Sequence, residues 1–375
     1  MKKCVIIPDS FKGNISSIEI CEIVKSKVLE FFPYCEVVAI PVADGGEGTV
    51  DSVLAAVGGK RVSVIVNGPY REQVSSDYAR MGNTAVIEMA QAAGLPLVEG
   101  RENPAETTTY GVGELIKHAV LDGCKEIIIG LGGSCTNDAG AGMAAALGVE
   151  FLDNKSAEFL PTGSTLKQVA HIDISKTKDL LNGCKVIAMC DIDNPMFGEH
   201  GAAYVYAPQK GADQNMVKML DCQLRAFSEQ IKKDLNTDVS NLPGAGAAGA
   251  MGAGIAAFLN GQLKSGIQTI LDLVEFENLL KGADIVFTGE GKIDGQSLRG
   301  KTVIGVAERA SKQGVPVVAI VGDIGDDAAT AYDRGVSAIF STNRQAIPYE
   351  KARLRSKQDL ASTVDDLMRF MTLDI

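Results

Sequence analysis

Five apolar runs of five to seven residues, each closed by a polar loop and followed by a helical pattern, constrain this 375-residue chain more than any other feature. Two lie near the start, at 3–8 and 36–42, and three near the end, at 284–288, 315–321 and 336–341. Unbroken apolar runs of this length read as strands buried on both faces, the pattern of a parallel sheet covered by helices. Helices are expected between them at 16–32, 48–57, 302–313 and 326–334, with a terminal one over 349–371. Ser16-x-x-Glu19 supplies a capping box for the first. The fold class expected is α/β, with a Rossmann- or flavodoxin-like, doubly wound parallel sheet assembled from both chain ends.

The middle follows a different rule. Strands expected at 61–66, 73–79 and 85–89 are joined by the turn signals Asn67-Gly68-Pro69 and Gly82-Asn83, which read as a meander. Helical patterns then run over 112–122, 139–147, 214–235 and 248–259, with strands at 126–130 and 185–190 among them. Two lobes are therefore expected: a discontinuous Rossmann-like domain from 1–60 and 283–375, and an inserted α/β domain at 61–282. The cleft between two such lobes is the default ligand site.

Composition narrows the function. With 36 Lys and Arg against 47 Asp and Glu, the net charge is −11, which disfavours nucleic acid or an anionic membrane as partner. Eight cysteines without a C-x-x-C and three scattered histidines give no zinc or Ser-His pattern. The first apolar run stops at Asp9, too early for a signal peptide. The uncharged stretch 239–263 holds Pro243, six glycines and few large apolar residues, so it is not read as a membrane span. A cytoplasmic enzyme or sensor of small molecules is expected.

Several strand ends carry candidate chemistry. Gly130-Leu131-Gly132-Gly133-Ser134-Cys135-Thr136-Asn137-Asp138 joins a strand to a helix, and its backbone N–H groups suit a phosphate. The alternative is a tight turn with Asp138 as helix cap. Asp191-Ile192-Asp193 ends another strand, where paired carboxylates suit Mg2+ at one and a proton acceptor at the other; a turn before Pro195 explains them equally well. Asp9-Ser10-Phe11-Lys12-Gly13, Asp44-Gly45-Gly46-Glu47-Gly48 and Thr288-Gly289-Glu290-Gly291-Lys292-Ile293-Asp294 end three runs of the terminal pieces. Their polar loops would converge on one edge of the sheet. Lys12 there offers a point charge for a carboxylate or phosphate. The run from Gly295 to Thr302 also fits the P-loop pattern, with Lys301 and Thr302 in its last positions, but it does not follow its strand directly. Gly244 to Gly254 reads first as close helix packing.

These motifs together resemble the type I glycerate kinases, bacterial glycerate 2-kinases of hydroxy-acid catabolism. The resemblance rests on DSFKG at 9–13, DGGEG at 44–48, the 130–138 loop, CDIDNP at 190–195, GAAGAMGAG at 246–254 and TGEGKID at 288–294, in the family's order along the whole chain. It implies ATP- and Mg2+-dependent phosphorylation of D-glycerate by a two-lobed α/β enzyme, most simply to 2-phosphoglycerate. Cys135, Lys292 and Gly295 depart from the usual family residues, and Gly295 alone creates the P-loop match. The residue roles expected are Asp191 and Lys12 in catalysis, with Asp9, Ser10, Lys12 and Asp44 on the substrate. Gly132, Gly133, Ser134, Thr136, Asn137, Asp138, Glu290 and Lys301 are expected on the nucleotide, and Asp193 on the metal. The rival readings are a P-loop-type NTPase using Lys301 and Thr302, and a non-catalytic nucleotide- or carboxylate-binding sensor.

Overall fold

Cys4, Val5, Ile6 and Ile7 are sealed from solvent in the strand Lys3–Pro8, which is flanked on both sides by parallel neighbours. The computed structural model describes residues 1–11, 13–43, 45–295 and 300–373. In it the sheet of this first unit runs in the spatial order Ala338–Ser341, Val317–Val321, Ile285–Gly289, Lys3–Pro8, Glu36–Ala39, all parallel. Numbered along the chain, that order is 5-4-3-1-2, the flavodoxin-like arrangement. The fold is α/β, and its strands read as continuous apolar runs because helices cover both faces.

This unit comprises Met1–Asp44, Asp51–Gly58 and Ser265–Ile375. Its first helix, Ser17–Phe31, starts at the full capping box of Ser16 and Glu19. That helix lies beside the terminal helix Ser356–Met371, and Lys27 pairs with Asp365 at 3.3 Å. The helices Gly266–Leu273 and Phe276–Leu279 belong here too, so the boundary lies at 264/265 rather than near 282. The cause is packing. Ile267 fills the space left by Gly305 on the helix Thr302–Lys312, and Arg309 of that helix bonds Asp272 and Glu277 at 2.7 and 2.6 Å. Three other expected elements are altered. The second strand stops at Ala39, 328–334 is a 3-10 helix, and the terminal helix is broken by a 3-10 turn at Arg353–Arg355.

The second unit comprises Gly45–Val50 and Gly59–Lys264. Its six-stranded mixed sheet is ordered Gln262–Lys264, Lys185–Met189, Glu126–Gly130, Thr84–Glu88, Gln73–Met81, Lys60–Asn67. The last three form the antiparallel meander, and the rest are parallel. The amphipathic helix Gln214–Leu235 is capped by Asp213, whose side chain accepts from Met216 N at 2.8 Å, and ends at left-handed Asn236. No helix of the described residues is long and apolar enough to cross a membrane.

Close strand packing in the first unit generates a direct test. A Cβ added at Gly289 would lie 2.2 Å from the carbonyl oxygen of Ile320 on the neighbouring strand segment. Gly289→Ala must therefore push two strand ends apart, at a cost of about 1–3 kcal/mol. Urea unfolding should show that loss, and a midpoint equal to wild type would mean the strands give way freely.

Candidate active site

In the first unit the strand order reverses between Lys3–Pro8 and Ile285–Gly289, and ligands of such sheets bind beyond the carboxyl ends at that point. A cavity of about 550 Å3 lies there, a size typical of small-molecule sites. Asp9, Glu290, Gly322 and Thr342, each the residue that directly follows a strand, line it. The terminal helical segment contributes another part of the wall through Ile347, Tyr349, Arg353 and Ser356. Asn14 Nδ2 donates to Ser356 Oγ, which ties that segment to the first strand-helix loop.

Asp9 is 7% exposed and firmly held. Its N–H donates to Gly289 O at 2.8 Å, its Oδ1 accepts from Ser10 N at 2.6 Å, and Thr302 Oγ1 donates to its Oδ2 at 3.4 Å. Lys292, Lys301 and Arg353 set positive charge among the carboxylates of the lining. Such a mixed wall can take a ligand that carries both anionic groups and hydroxyls. Of the expected site residues, Asp9, Ser10, Glu290 and Lys301 are brought together in this one cavity. Lys12 and Asp44 lie outside the described residues, as do 296–299 of the P-loop match. A short strand at Lys292–Ile293 separates that match from the end of Ile285–Gly289, unlike a P-loop, which follows its strand at once.

The glycine-rich loop lies in the second unit, between Glu126–Gly130 and the helix Ala141–Ala146. Its glycines answer first to packing. A Cβ at Gly130 would lie 2.3 Å from Gly45 O, and one at Gly132 would lie 2.5 Å from Gly46 Cα. Gly132 N itself donates to Gly45 O at 3.0 Å. Asp138 has no exposure. Its Oδ2 accepts from Thr109 N, Thr109 Oγ1 and Gly142 N at 2.8, 2.9 and 3.2 Å, and its Oδ1 from Gly140 N at 3.1 Å. Burial pushes its pKa up, and these bonds pull it back.

Asp138 is thus a cap, set beside Thr136 and Asn137 in the loop expected on the nucleotide. All three are sealed from solvent, and the six-residue helix behind them is too short to offer a strong N-terminal field. Gly133 is exposed and Gly132 half-buried, so the turn at those two residues is the part of the loop nearest to solvent. Sequence reasoning missed Lys210, whose Nζ donates to Ser134 Oγ and Thr136 O, both at 2.7 Å, from a fully buried position. No local pattern marks it.

Asp191 and Asp193 follow the strand Lys185–Met189 in the same unit, half-buried and exposed respectively. Asn194 anchors their loop: its Nδ2 donates to His200 O at 2.8 Å, its Oδ1 accepts from Tyr206 OH at 2.7 Å, and its carbonyl accepts from Gly246 N at 2.9 Å. A Cβ at Gly246 would stand 2.4 Å from Pro195 O, so the 244–254 glycines serve close packing.

The Asp138 cap is testable by its chemistry. Asp138→Asn keeps the shape but turns an amide donor toward N–H donors, so unfolding free energy should fall by about 2–4 kcal/mol. Urea titration checks it, and a loss below about 0.5 kcal/mol would mean the carboxylate is not the clamp.

Comparison with known proteins fits this geometry. A family model described as the glycerate kinase family matches residues 4–372. The chain is 44% identical over 368 residues to a glycerate kinase of Bacillus cereus, covering 97% of each. It is 44% identical over 342 residues to a glycerate 2-kinase of Escherichia coli, covering 90% of each. A crystal structure of a glycerate kinase 2 from Salmonella typhimurium LT2 superposes with a TM-score of 0.88 at 39% identity, over 99% of this chain and 98% of that one. The chain is an enzyme of the glycerate kinase family.

Proposed function

We propose that the chain transfers the γ-phosphoryl group of ATP to the 2-hydroxyl of D-glycerate, giving 2-phosphoglycerate. The observation that carries this reading is the cavity at the sheet's switch point, where Asp9, Ser10, Glu290 and Lys301 meet in a chain of this family. Phosphoryl transfer asks a protein mainly for positioning and charge neutralisation. Ser10 and Asp9 bind the glycerate, with Lys12 pairing its carboxylate and Asp44 its hydroxyls. Glu290 and Lys301 serve the nucleotide, as does the turn at Gly132, Gly133 and Ser134. Asp191 accepts the proton of the attacking hydroxyl.

Mg2+ fits the residues present. Among the described residues no group of three or more His, Cys, Asp or Glu is poised to hold a metal. Mg2+ needs no such cage, because it keeps water and phosphate oxygens and takes one or two carboxylates. Exposed Asp193 offers one. When bound, the ion would neutralise charge on the phosphates, while the protein's own groups orient the hydroxyl and take its proton.

Steady ATP consumption should require glycerate, and should feed enolase directly. An enolase-coupled signal that appears only after phosphoglycerate mutase is added would place transfer on the 3-hydroxyl. ATP consumption without any hydroxy acid would favour an NTPase, and none at all a sensor. For the base, Asp191→Asn should lower glycerate-dependent kcat by about two orders of magnitude with ATP binding retained. Turnover within about threefold of wild type would remove Asp191 from that role.

A further inference from the structure

Lys210 ends the 3-10 turn Pro208–Lys210 in the second unit and is 2% exposed. A buried ammonium is costly unless its protons and its charge are both met. Ser134 Oγ and Thr136 O take two of its protons at 2.7 Å each. Among the described residues, the ionisable groups whose charge acts on it are Cys135 and Asp138. Burial pushes the Cys135 thiol up to about 12, so that group is neutral and Asp138 is the compensating anion. Burial in turn lowers Lys210 to about 8, with Cys135 and Asp138 pulling the other way.

The surroundings are unusually strained. Ala139 and Gly140 have φ of 52° and 70°, and they abut a second left-handed stretch at Ala248, Gly249 and Ala250, with φ of 54°, 68° and 68°. Ala139 N donates to Gly249 O at 3.0 Å, and a Cβ at Gly249 would lie 2.0 Å from Thr136 O. L-alanine avoids this conformation. Beside it, Asn137 Oδ1 and Nδ2 and Thr136 Oγ1 are buried with no hydrogen-bond partner among the described residues. Orphaned polar groups and strained backbone persist where the working geometry requires them.

We propose that Lys210 is a positioning residue for phosphoryl transfer: its ammonium grips Ser134 and the Thr136 carbonyl from beneath, and so holds the exposed Gly132–Gly133 turn in the shape that receives the nucleotide's phosphates. This rests on the reading of the loop given under the proposed function. Lys210 acts through the loop and touches no reactant.

Lys210→Met keeps the side chain's length and removes charge and donors. Its kcat/KM for ATP should fall tenfold or more, with KM for glycerate within threefold of wild type, beside a loss of stability from the buried Asp138 left without its counter-charge. Wild-type kcat/KM for ATP should also decline above about pH 8, where the ammonium loses its proton, and that decline should be absent from the variant. A variant with wild-type kcat/KM for ATP, or the same alkaline decline in both proteins, overturns the proposal. Should Lys210→Met fail to fold, Lys210→Gln keeps a donor for one of the two acceptors and removes the charge. It should lower kcat/KM for ATP by threefold to tenfold, and no change overturns the proposal. A wild-type enzyme with no glycerate-dependent ATP turnover would instead sink the functional reading. Direct ATP binding then decides the clamp: tenfold weaker binding by Lys210→Met supports it, and equal affinity ends it.

Discussion

A carboxylate sealed from water must have its lone pairs met inside the protein, and the second unit is organised around that requirement at Asp138. The donors that meet it come from two helix starts. Thr109 N and Thr109 Oγ1 precede the helix Tyr110–Leu121, while Gly140 N and Gly142 N open Ala141–Ala146. First-turn N–H groups have no partner within their own helix, so one anion caps both. The two helices then approach so closely that side chains are excluded. A Cβ at Gly113 would lie 2.2 Å from Met143 O, and one at Gly142 would lie 2.0 Å from Thr108 Oγ1. Charge, capping and small residues are a single arrangement, and none of them works without the others.

The two units treat their strand ends in opposite ways. In the first, the residues that follow the strands face a cavity, and Asp9 and Glu290 stay partly accessible at 7% each. In the second, the loop after Glu126–Gly130 is closed over by backbone. Gly45 and Gly46 press on Gly130 and Gly132, and left-handed Gly249 presses on Thr136. A polar strand end can therefore serve a ligand or serve packing.

That duality decides how much was legible in the sequence. Strands buried on both faces leave unbroken apolar runs, so the α/β class and most strand positions could be read from residues alone. The helix Gln214–Leu235 was legible to its ends because Asp213 caps it and Asn236 leaves it left-handed, both local signals. The break at Arg353–Arg355 has no Gly or Pro to announce it, and the helices at 266–279 carry no mark of which unit they pack on. Among the expected site residues, Asp9, Ser10 and Glu290 meet in one cavity because each sits just beyond a strand end, while Lys301 reaches it from the start of the helix Thr302–Lys312. Lys210 was invisible: a lysine in Pro208-Gln209-Lys210-Gly211 looks like any solvated turn until tertiary packing buries it.

The same logic explains why the glycine-rich loop admits two readings. Glycine beside Ser, Thr and Asp after a strand is what a phosphate cradle needs, because bare N–H groups must face outward. It is also what a buried turn needs when backbone from two other segments must come within van der Waals contact. The residue types are shared, and only the direction of the N–H groups differs. Gly132 points its N–H at Gly45 O, and Asp138 turns those of Gly140 and Gly142 inward, which leaves the exposed Gly133 region as the loop's outward face. Sequence specifies the residues such a turn requires. Which way its dipoles point is set by tertiary partners as far away in the chain as Gly45 and Lys210.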